Sequence, residues 1–225
     1  MQYSFRHRFN YKRAQDTLNM KRIAAIIPFI IPVILFAVSC KETKEADDHA
    51  NWQDRNSEFI SRIASECNPD LTPQTAQEGQ MFRLLSFKLD PDKTWGDGSY
   101  IYCKILAKSD ETLSPHYSDS IRMNYRVRLM STDNYPEGQV IDQSFKTTEL
   151  DPSVNIPYSF LVSALIDGVT TAVMNMHKGD FWRVYIPYGL GYGTNDKGTI
   201  PGYSALIYEI NLTEIAPTGH DLSPR

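Results

Sequence analysis

The chain has 225 residues and a formal net charge of −4 at pH 7, and no basic cluster occurs after residue 40. This charge balance argues against nucleic acid as a partner. Three cysteines are too few for a disulfide scaffold, and the five histidines never occur at the spacing of metal ligands. We therefore predict a protein that binds no nucleic acid, no metal and no cofactor.

The start of the chain predicts an export signal over residues 1–40. Lys21 and Arg22 precede an uncharged stretch over 23–39, which ends in small residues directly before Cys40. A basic segment, an apolar segment and a cysteine in this order are typical of a secretory signal and resemble the lipidation site of a bacterial lipoprotein. We expect Cys40 to become the first residue of the mature chain and to carry its acyl chains.

A retained membrane anchor is the alternative for the apolar stretch. Pro28 and Pro32 interrupt it, and it is shorter than the ~20 apolar residues that a spanning helix needs. The lipoprotein interpretation is favoured, with translation starting at Met1 or Met20. Residues 41–48 then form a charged tether, whose first residues resemble the surface-export signals of Bacteroidetes lipoproteins. The protein is thus expected in the cell envelope, as an outer-membrane lipoprotein that faces the periplasm or the cell surface.

A helical extension is predicted for residues 49–80. From His49 to Glu66 the apolar residues recur at helical spacing, and Pro69 and Pro73 end the pattern. The apolar stripe consists of Trp52, Phe59, Ile60 and Ile63. Because an isolated helix of this length is marginally stable in water, we expect it to pack on the main domain or on a partner.

The rest of the chain has the alternation of antiparallel strands around one helical segment. The predicted strands lie at 81–87, 100–106, 122–130, 184–186 and 205–212. Residues 163–176 have helical spacing instead, and Gly179 follows as a stop. This order predicts an α+β fold, in which a twisted antiparallel β-sheet wraps around one central α-helix.

Two cysteines remain if Cys40 is lipidated. Cys67 and Cys103 are a possible disulfide in an exported protein. The alternative is a pair of buried thiols, and the sequence leaves both interpretations open.

The most informative pattern lies at residues 182–212. An apolar strand enters a Pro-Gly-Tyr-Gly turn, a polar loop follows, and an Ile-Pro pair leads into a second strand. This pattern resembles the C-terminal half of FKBP-type peptidyl-prolyl cis/trans isomerases, which reads I-P-P-x-x-A-Y-G, a loop, then I-P-x-x-A/S-x-L-x-F/Y-x-I/V-x-L. The positions that match in register are Ile186, Pro187, Tyr192, Gly193, Ile200, Pro201, Leu206, Tyr208 and Leu212.

The resemblance extends over residues 81–215. Further segments are similar to the family's motifs G-x-x-F-D-S-S, P-x-x-F, V-I-x-G and M-x-x-G-D/E, and they lie at 138–144, 157–160, 165–168 and 176–180. The resemblance implies an FKBP-like domain over residues 81–216, followed by a tail over 217–225.

An apolar pocket for the substrate proline is implied by the same resemblance. It implies that the Tyr192 hydroxyl and the backbone N–H of Ile166 donate hydrogen bonds to substrate carbonyls. It also implies that Asp142 lies at the rim of the pocket and that Val169 forms its floor. The other residues implied to line the pocket are Tyr125, Ile141, Phe160, Leu165, Ile200 and Tyr208.

The implied reaction needs neither a nucleophile nor a metal. Rotation about an amide bond costs ~18–20 kcal/mol, and only before proline are the cis and trans forms close enough in energy for both to be populated. An apolar, water-poor pocket favours the less polar twisted amide, while fixed donors hold the chain on either side. The absence of a Ser/His/Asp or Cys/His set at suggestive spacing agrees with this mechanism.

Three departures from the family concern the pocket. Val169 stands where strongly active members usually have tryptophan, and Ile141 stands where they have phenylalanine. Residues 194–199 lack the usual aromatic or histidine contact. Loss of the indole is expected to deepen the site or to leave it wet.

Three functions are therefore kept. The first is a lipid-anchored prolyl isomerase that assists the folding of proline-containing envelope polypeptides. The second is a catalytically weak or inactive module that binds peptides or unfolded chains, since a fold does not guarantee activity. The third is a structural lipoprotein of a surface complex, docked through the helix that carries Trp52 and Phe59.

Overall fold

The computed structural model describes residues 47–224. Its helices and strands are α1 (Trp52–Glu66), β1 (Met81–Leu85), β2 (Tyr100–Ala107), β3 (Ser120–Leu129), β4 (Val140–Gln143), β5 (Tyr158–Leu161), α2 (Asp167–Val173), β6 (Phe181–Ile186) and β7 (Leu206–Ala216). The predicted signal, Cys40 and residues 41–46 of the tether lie outside the described residues. Within the described range, no helix has the length and apolar character needed to cross a membrane.

One antiparallel sheet joins all seven of these strands, in the order β1-β2-β6-β7-β3-β4. The short strands β4 and β5 share one side of β3. β4 pairs with residues 126–128, and β5 pairs with residues 120–123. The predicted α+β fold is confirmed, and β4 and β5 are strands that the sequence pattern did not predict.

The helix α2 packs on one face of this sheet. Gly168 allows the close approach, because a Cβ atom at this position would lie 2.3 Å from Cγ2 of Ile186 on β6. The fully buried residues that the sheet contributes to this core include Phe82, Ile101, Cys103, Ile105, Trp182, Val184, Ile186 and Ile210. The sheet therefore wraps around a single helix, as expected for this order of elements.

The observed α2 is shorter than the helix predicted at 163–176. Residues 162–164 form a separate 3-10 turn. The N–H of Val162 donates to the carbonyl of Asp119 at 3.0 Å, which ties this turn to the start of β3. The Thr170 hydroxyl also donates to the carbonyl of Val162 at 3.1 Å. A side chain thus occupies a backbone acceptor that a longer helix would use, and the helix begins later.

The helix α1 packs on the opposite face of the sheet. Its residues Ile60 and Ile63 are buried against Tyr102 and Ala205, and Phe59 packs against the ring of Tyr185 with centroids 6.0 Å apart. The apolar stripe of α1 is therefore covered by its own domain. This packing leaves the stripe unavailable as the docking surface of a structural lipoprotein.

The two described cysteines are free thiols that lie on opposite faces of the sheet. Cys103 belongs to the core around α2, whereas Cys67 packs with the cluster beneath α1. Burial first and the neighbouring Glu66 carboxylate second raise the pKa of the Cys67 thiol to about 11.

Cys67 should therefore react slowly with iodoacetamide at pH 8, because only about one such thiol in a thousand is then ionised. Alkylation of the peptide that contains Cys67, followed by mass spectrometry, measures this rate. The same protein in urea provides the control, since the unfolded thiol returns to a pKa of about 8.5. Native and unfolded protein labelling at equal rates would contradict the expectation.

Candidate active site

Tyr125 lies at the centre of the residues predicted to line the pocket. It projects from the middle of β3, and its ring packs edge-on against Phe160 of β5, with centroids 5.8 Å apart. The ring of Tyr158, two residues earlier on β5, lies 6.2 Å from the same ring. Alternation along β5 puts both aromatic residues on the face that meets Tyr125.

Asp142 is held next to this aromatic group by a hydrogen bond. The Tyr125 hydroxyl donates to Oδ2 of Asp142 at 2.7 Å, and the N–H of Gln143 donates to Oδ1 at 2.8 Å. A bulge in β4 leaves Ile141 without a partner on β3, and this side chain packs against the core. Burial first and the Asp142 carboxylate second raise the pKa of Tyr125. Tyr125 therefore remains a protonated donor at neutral pH.

The phenol of Tyr192 completes the polar edge of the site. Its side chain is 38% exposed, whereas the neighbouring Tyr208 of β7 is 7% exposed. Burial raises the pKa of Tyr208, and the nearby phenols of Tyr192 and Tyr125 raise it further, as does Asp142. Three phenols and one carboxylate are thus clustered at one end of the apolar surface.

The loop between β6 and β7 is ordered around Tyr192. The N–H of Gly193 donates to the carbonyl of Tyr188 at 2.9 Å. Lys197 and Ile200 exchange backbone hydrogen bonds of 2.8 and 3.1 Å across a tight turn. This turn buries Ile200 beside the core. The loop therefore presents one exposed phenol and one apolar side chain to the site.

The segment before α2 supplies an available backbone donor. Ile166 is half-buried and packs against the core, and its backbone is extended. Its N–H donates no hydrogen bond to any residue between 47 and 224. An N–H in this state can donate to a carbonyl of a bound peptide.

The region that contains these residues is similar to a known protein family. The model of the family described as FKBP-type peptidyl-prolyl cis-trans isomerase matches residues 111–213. Over these residues the chain is similar to that family. The match covers β3 to β6, α2, residues 206–213 of β7 and all the site residues described above.

Two relatives illustrate the similarity. The macrophage infectivity potentiator of Trypanosoma cruzi is 32% identical over 115 residues, which are 51% of this chain and 52% of that protein. The peptidyl-prolyl cis-trans isomerase Mip of Coxiella burnetii (strain RSA 493 / Nine Mile phase I) is 30% identical over 124 residues, which are 55% and 47% of the two chains. The chain therefore spans about half the length of these relatives.

Among solved structures, the crystal structure of FkpA from Escherichia coli is similar at 18% sequence identity with a TM-score of 0.49. The similarity covers 93% of this chain and 75% of that one.

Of the predicted site residues, the structure brings together Tyr125, Asp142, Phe160, Tyr192 and Tyr208. In the whole predicted set, the buried members are Val169, Ile200 and Tyr208; the partly buried members are Tyr125, Ile141, Phe160, Leu165 and Ile166; the exposed members are Asp142 and Tyr192. The sequence prediction missed Tyr158, whose ring lies 6.2 Å from that of Tyr125. The position of Tyr158 two residues before Phe160 was the signal that identifies it.

Val169 differs from the expectation of a deep or wet floor. Its side chain is 1% exposed and belongs to the core, so no solvent-filled opening reaches it. Direct contact between Val169 and a substrate would require the packing around this buried side chain to change.

Between residues 47 and 224, no group of three or more His, Cys, Asp or Glu side chains is placed to hold a metal ion. The polar groups at the site are phenols, one carboxylate and one backbone N–H. Such groups can bind and orient a peptide through hydrogen bonds.

Proposed function

We propose that the protein is a peptidyl-prolyl cis/trans isomerase that assists the folding of proline-containing polypeptides. The observation that carries this proposal is the cluster formed by Tyr125, Asp142, Tyr192 and Tyr208 next to an apolar surface and the free N–H of Ile166. Its position inside the matched FKBP-type region supports the same conclusion. The residues at this site provide hydrogen bonds and apolar contact, which are the two requirements of amide rotation.

In the proposed mechanism, the substrate proline packs on the apolar surface formed by Phe160, Ile200 and the ring of Tyr208. Rotation about the preceding amide reduces its resonance, and the twisted amide is less polar than the planar one. A surface that excludes water therefore favours the twisted state. The Tyr192 hydroxyl and the Ile166 N–H donate to substrate carbonyls and hold the chain while the bond rotates.

Asp142 has a supporting role in this mechanism. Its carboxylate accepts the hydrogen bond of Tyr125, which fixes the ring that borders Phe160. The same carboxylate is exposed at the rim, where its charge faces the carbonyl dipole of a bound peptide. Loss of the carboxylate is expected to loosen the ring of Tyr125 and to remove this local field.

A protease-coupled assay on a short Xaa-Pro peptide tests the proposal. A hydrogen bond is worth about 1 kcal/mol, so Tyr192→Phe should lower kcat/KM about fivefold to tenfold, and Asp142→Ala should lower it by at least as much. Tyr117→Phe is a matched control, because this exposed tyrosine packs against Phe87, outside the cluster. Activity that is absent in the natural chain, or unchanged in both site variants, would overturn the proposal.

A binding module without catalysis is the second candidate function. The observations that favour it are the buried Val169 and the exposed apolar side chains near β5, which are Val154, Ile156, Tyr158 and Leu161. A chain with this function would suppress the aggregation of an unfolded client while leaving the rate of proline isomerisation unchanged. The peptide assay and an aggregation assay on the same preparation distinguish the two functions.

The proposed location is the cell envelope, with the mature chain anchored through lipid on Cys40. The support is the order of Lys21, Arg22, the apolar stretch and Cys40 in the sequence. Mass spectrometry of the mature N-terminus tests the anchor independently of activity. A chain that retains residues 1–39, or an unmodified Cys40, would contradict it.

A further inference from the structure

The first turn of α1 is hydrogen-bonded to the loop that carries the site. Nε1 of Trp52 donates to the Ser204 hydroxyl at 2.9 Å, and this hydroxyl donates to the carbonyl of Pro201 at 2.6 Å. Trp52 is 7% exposed and Ser204 is buried. The indole, the hydroxyl and the carbonyl thus form a relay, and its last member directly follows Ile200 in the sequence.

Asn56 adds a second connection one turn along α1. Its side-chain amide donates to the carbonyl of Trp52 at 2.7 Å, and its Oδ1 accepts the backbone N–H of Ala205 at 2.8 Å. The side chain is 1% exposed, so water does not compete for either bond. Hydrogen bonds in such an environment are stronger than at a surface, and their loss leaves buried groups unpaired.

The turn at 201–205, which is hydrogen-bonded to α1, is also hydrogen-bonded to the rest of the loop between β6 and β7. The N–H of Tyr203 donates to the carbonyl of Gly193 at 2.9 Å, and the N–H of Gly202 donates to Oδ1 of Asp196 at 2.8 Å. Tyr203 has φ 62°, in the left-handed region that residues other than glycine rarely adopt. Such a conformation persists only where the surroundings fix it. Gly193 directly follows Tyr192, so these bonds reach the exposed phenol of the site.

We propose that Trp52 and Asn56 are positioning residues for the site, which place Tyr192 and Ile200 through the turn at 201–205. Neither residue lies among the side chains that line the site. Their effect passes through the backbone of the loop between β6 and β7. The helical extension is therefore part of the functional unit, and this inference rests on the proposed isomerase function.

Variants of the relay test the proposal in the full-length chain. Trp52→Phe keeps an aromatic ring and removes the N–H, while Ser204→Ala removes the middle of the relay. Each should lower kcat/KM on the Xaa-Pro peptide about fivefold, and the double variant should lower it little further, because both substitutions break the same connection. Ile63→Val is the matched control, since this buried residue lies at the other end of α1. It should leave kcat/KM within about twofold.

Amide hydrogen exchange gives a readout that does not depend on activity. The N–H groups of Tyr203 and Ala205 should exchange at least about tenfold faster in Trp52→Phe, whereas those of the central strands β6 and β7 keep their natural rates. A general loss of stability would raise exchange in both regions instead. An inactive natural chain would overturn the proposed function, and the exchange measurement would still decide the positioning role. Unchanged amide exchange at Tyr203 and Ala205 in Trp52→Phe, or an equal loss of activity in Ile63→Val, would overturn the positioning role.

Discussion

Gly202→Ala should reduce the proposed isomerase activity by about 100-fold, because the added methyl group forces the loop between β6 and β7 to move. A Cβ atom at Gly202 would lie 2.2 Å from the carbonyl oxygen of Thr194 and 2.7 Å from its carbonyl carbon. These are backbone atoms, which no side-chain rotation can remove from the contact. The loop must therefore shift by about an ångström, and a displacement of this size at a catalytic group is enough for such a loss.

Gly189→Ala provides the control for this prediction. Gly189 belongs to the same connection between β6 and β7, and a Cβ atom there would meet no atom within 4 Å. This variant should keep its activity within about twofold, since a surface substitution without a clash costs little. Circular dichroism of both variants verifies that the sheet is retained. Full activity in Gly202→Ala would show that the conformation of this loop does not matter for the reaction.

Trp182→Ala should destabilise the domain by about 3–5 kcal/mol, which is the usual cost of removing a large buried aromatic side chain. The indole is 1% exposed on β6, at the centre of the core. It packs edge-on against Phe82 of β1, with centroids 5.2 Å apart and an interplanar angle of 88°. Because domains are commonly stable by only about 5–15 kcal/mol, urea denaturation should show a large fall in the midpoint.

Trp182→Phe removes the polar N–H group of the indole but keeps a large aromatic side chain, so it tests the two contributions separately. Within the described part of the chain, the buried Nε1 of Trp182 has no hydrogen-bond partner. Its removal therefore breaks no bond and relieves the cost of a buried, unpaired donor. We expect Trp182→Phe to lower the free energy of unfolding by less than half as much as Trp182→Ala does. Equal losses in the two variants would contradict the view that packing, rather than polarity, is what Trp182 contributes.

The sequence predicted the main strands well because alternate residues of each strand belong to the buried core that also contains Val169 and Val173 of α2. The alternation of apolar and polar residues predicted strands at 81–87 and 122–130, and the strands observed are Met81–Leu85 and Ser120–Leu129. β4 and β5 escaped prediction because each has only four residues, which is too short for a period of two to be recognised. The helix at 163–176 was overpredicted, since tertiary hydrogen bonds to Asp119 and Thr170 replaced its first turn.

The candidate site was inferred from register with a family rather than from physical reasoning on single residues. An aromatic residue such as Tyr125 or Tyr208 on a strand has the same pattern whether it lines a site or only fills a core. The contribution of α1 has no local signature at all. Trp52 and Ser204 are separated by 152 positions, and each has an ordinary sequence environment. Only the folded chain brings the indole and the hydroxyl together.

The division of one sheet edge between β4 and β5 has a consequence for solubility. Long free edges are templates on which further chains can pair and build fibres. Here the outermost pairing partners of β3 have four residues each, and on the opposite side the carbonyl of Met81 in β1 already accepts the N–H of Asn68. Interrupted edges of this kind offer a further chain little continuous backbone for pairing, so the sheet is a poor template for polymerisation.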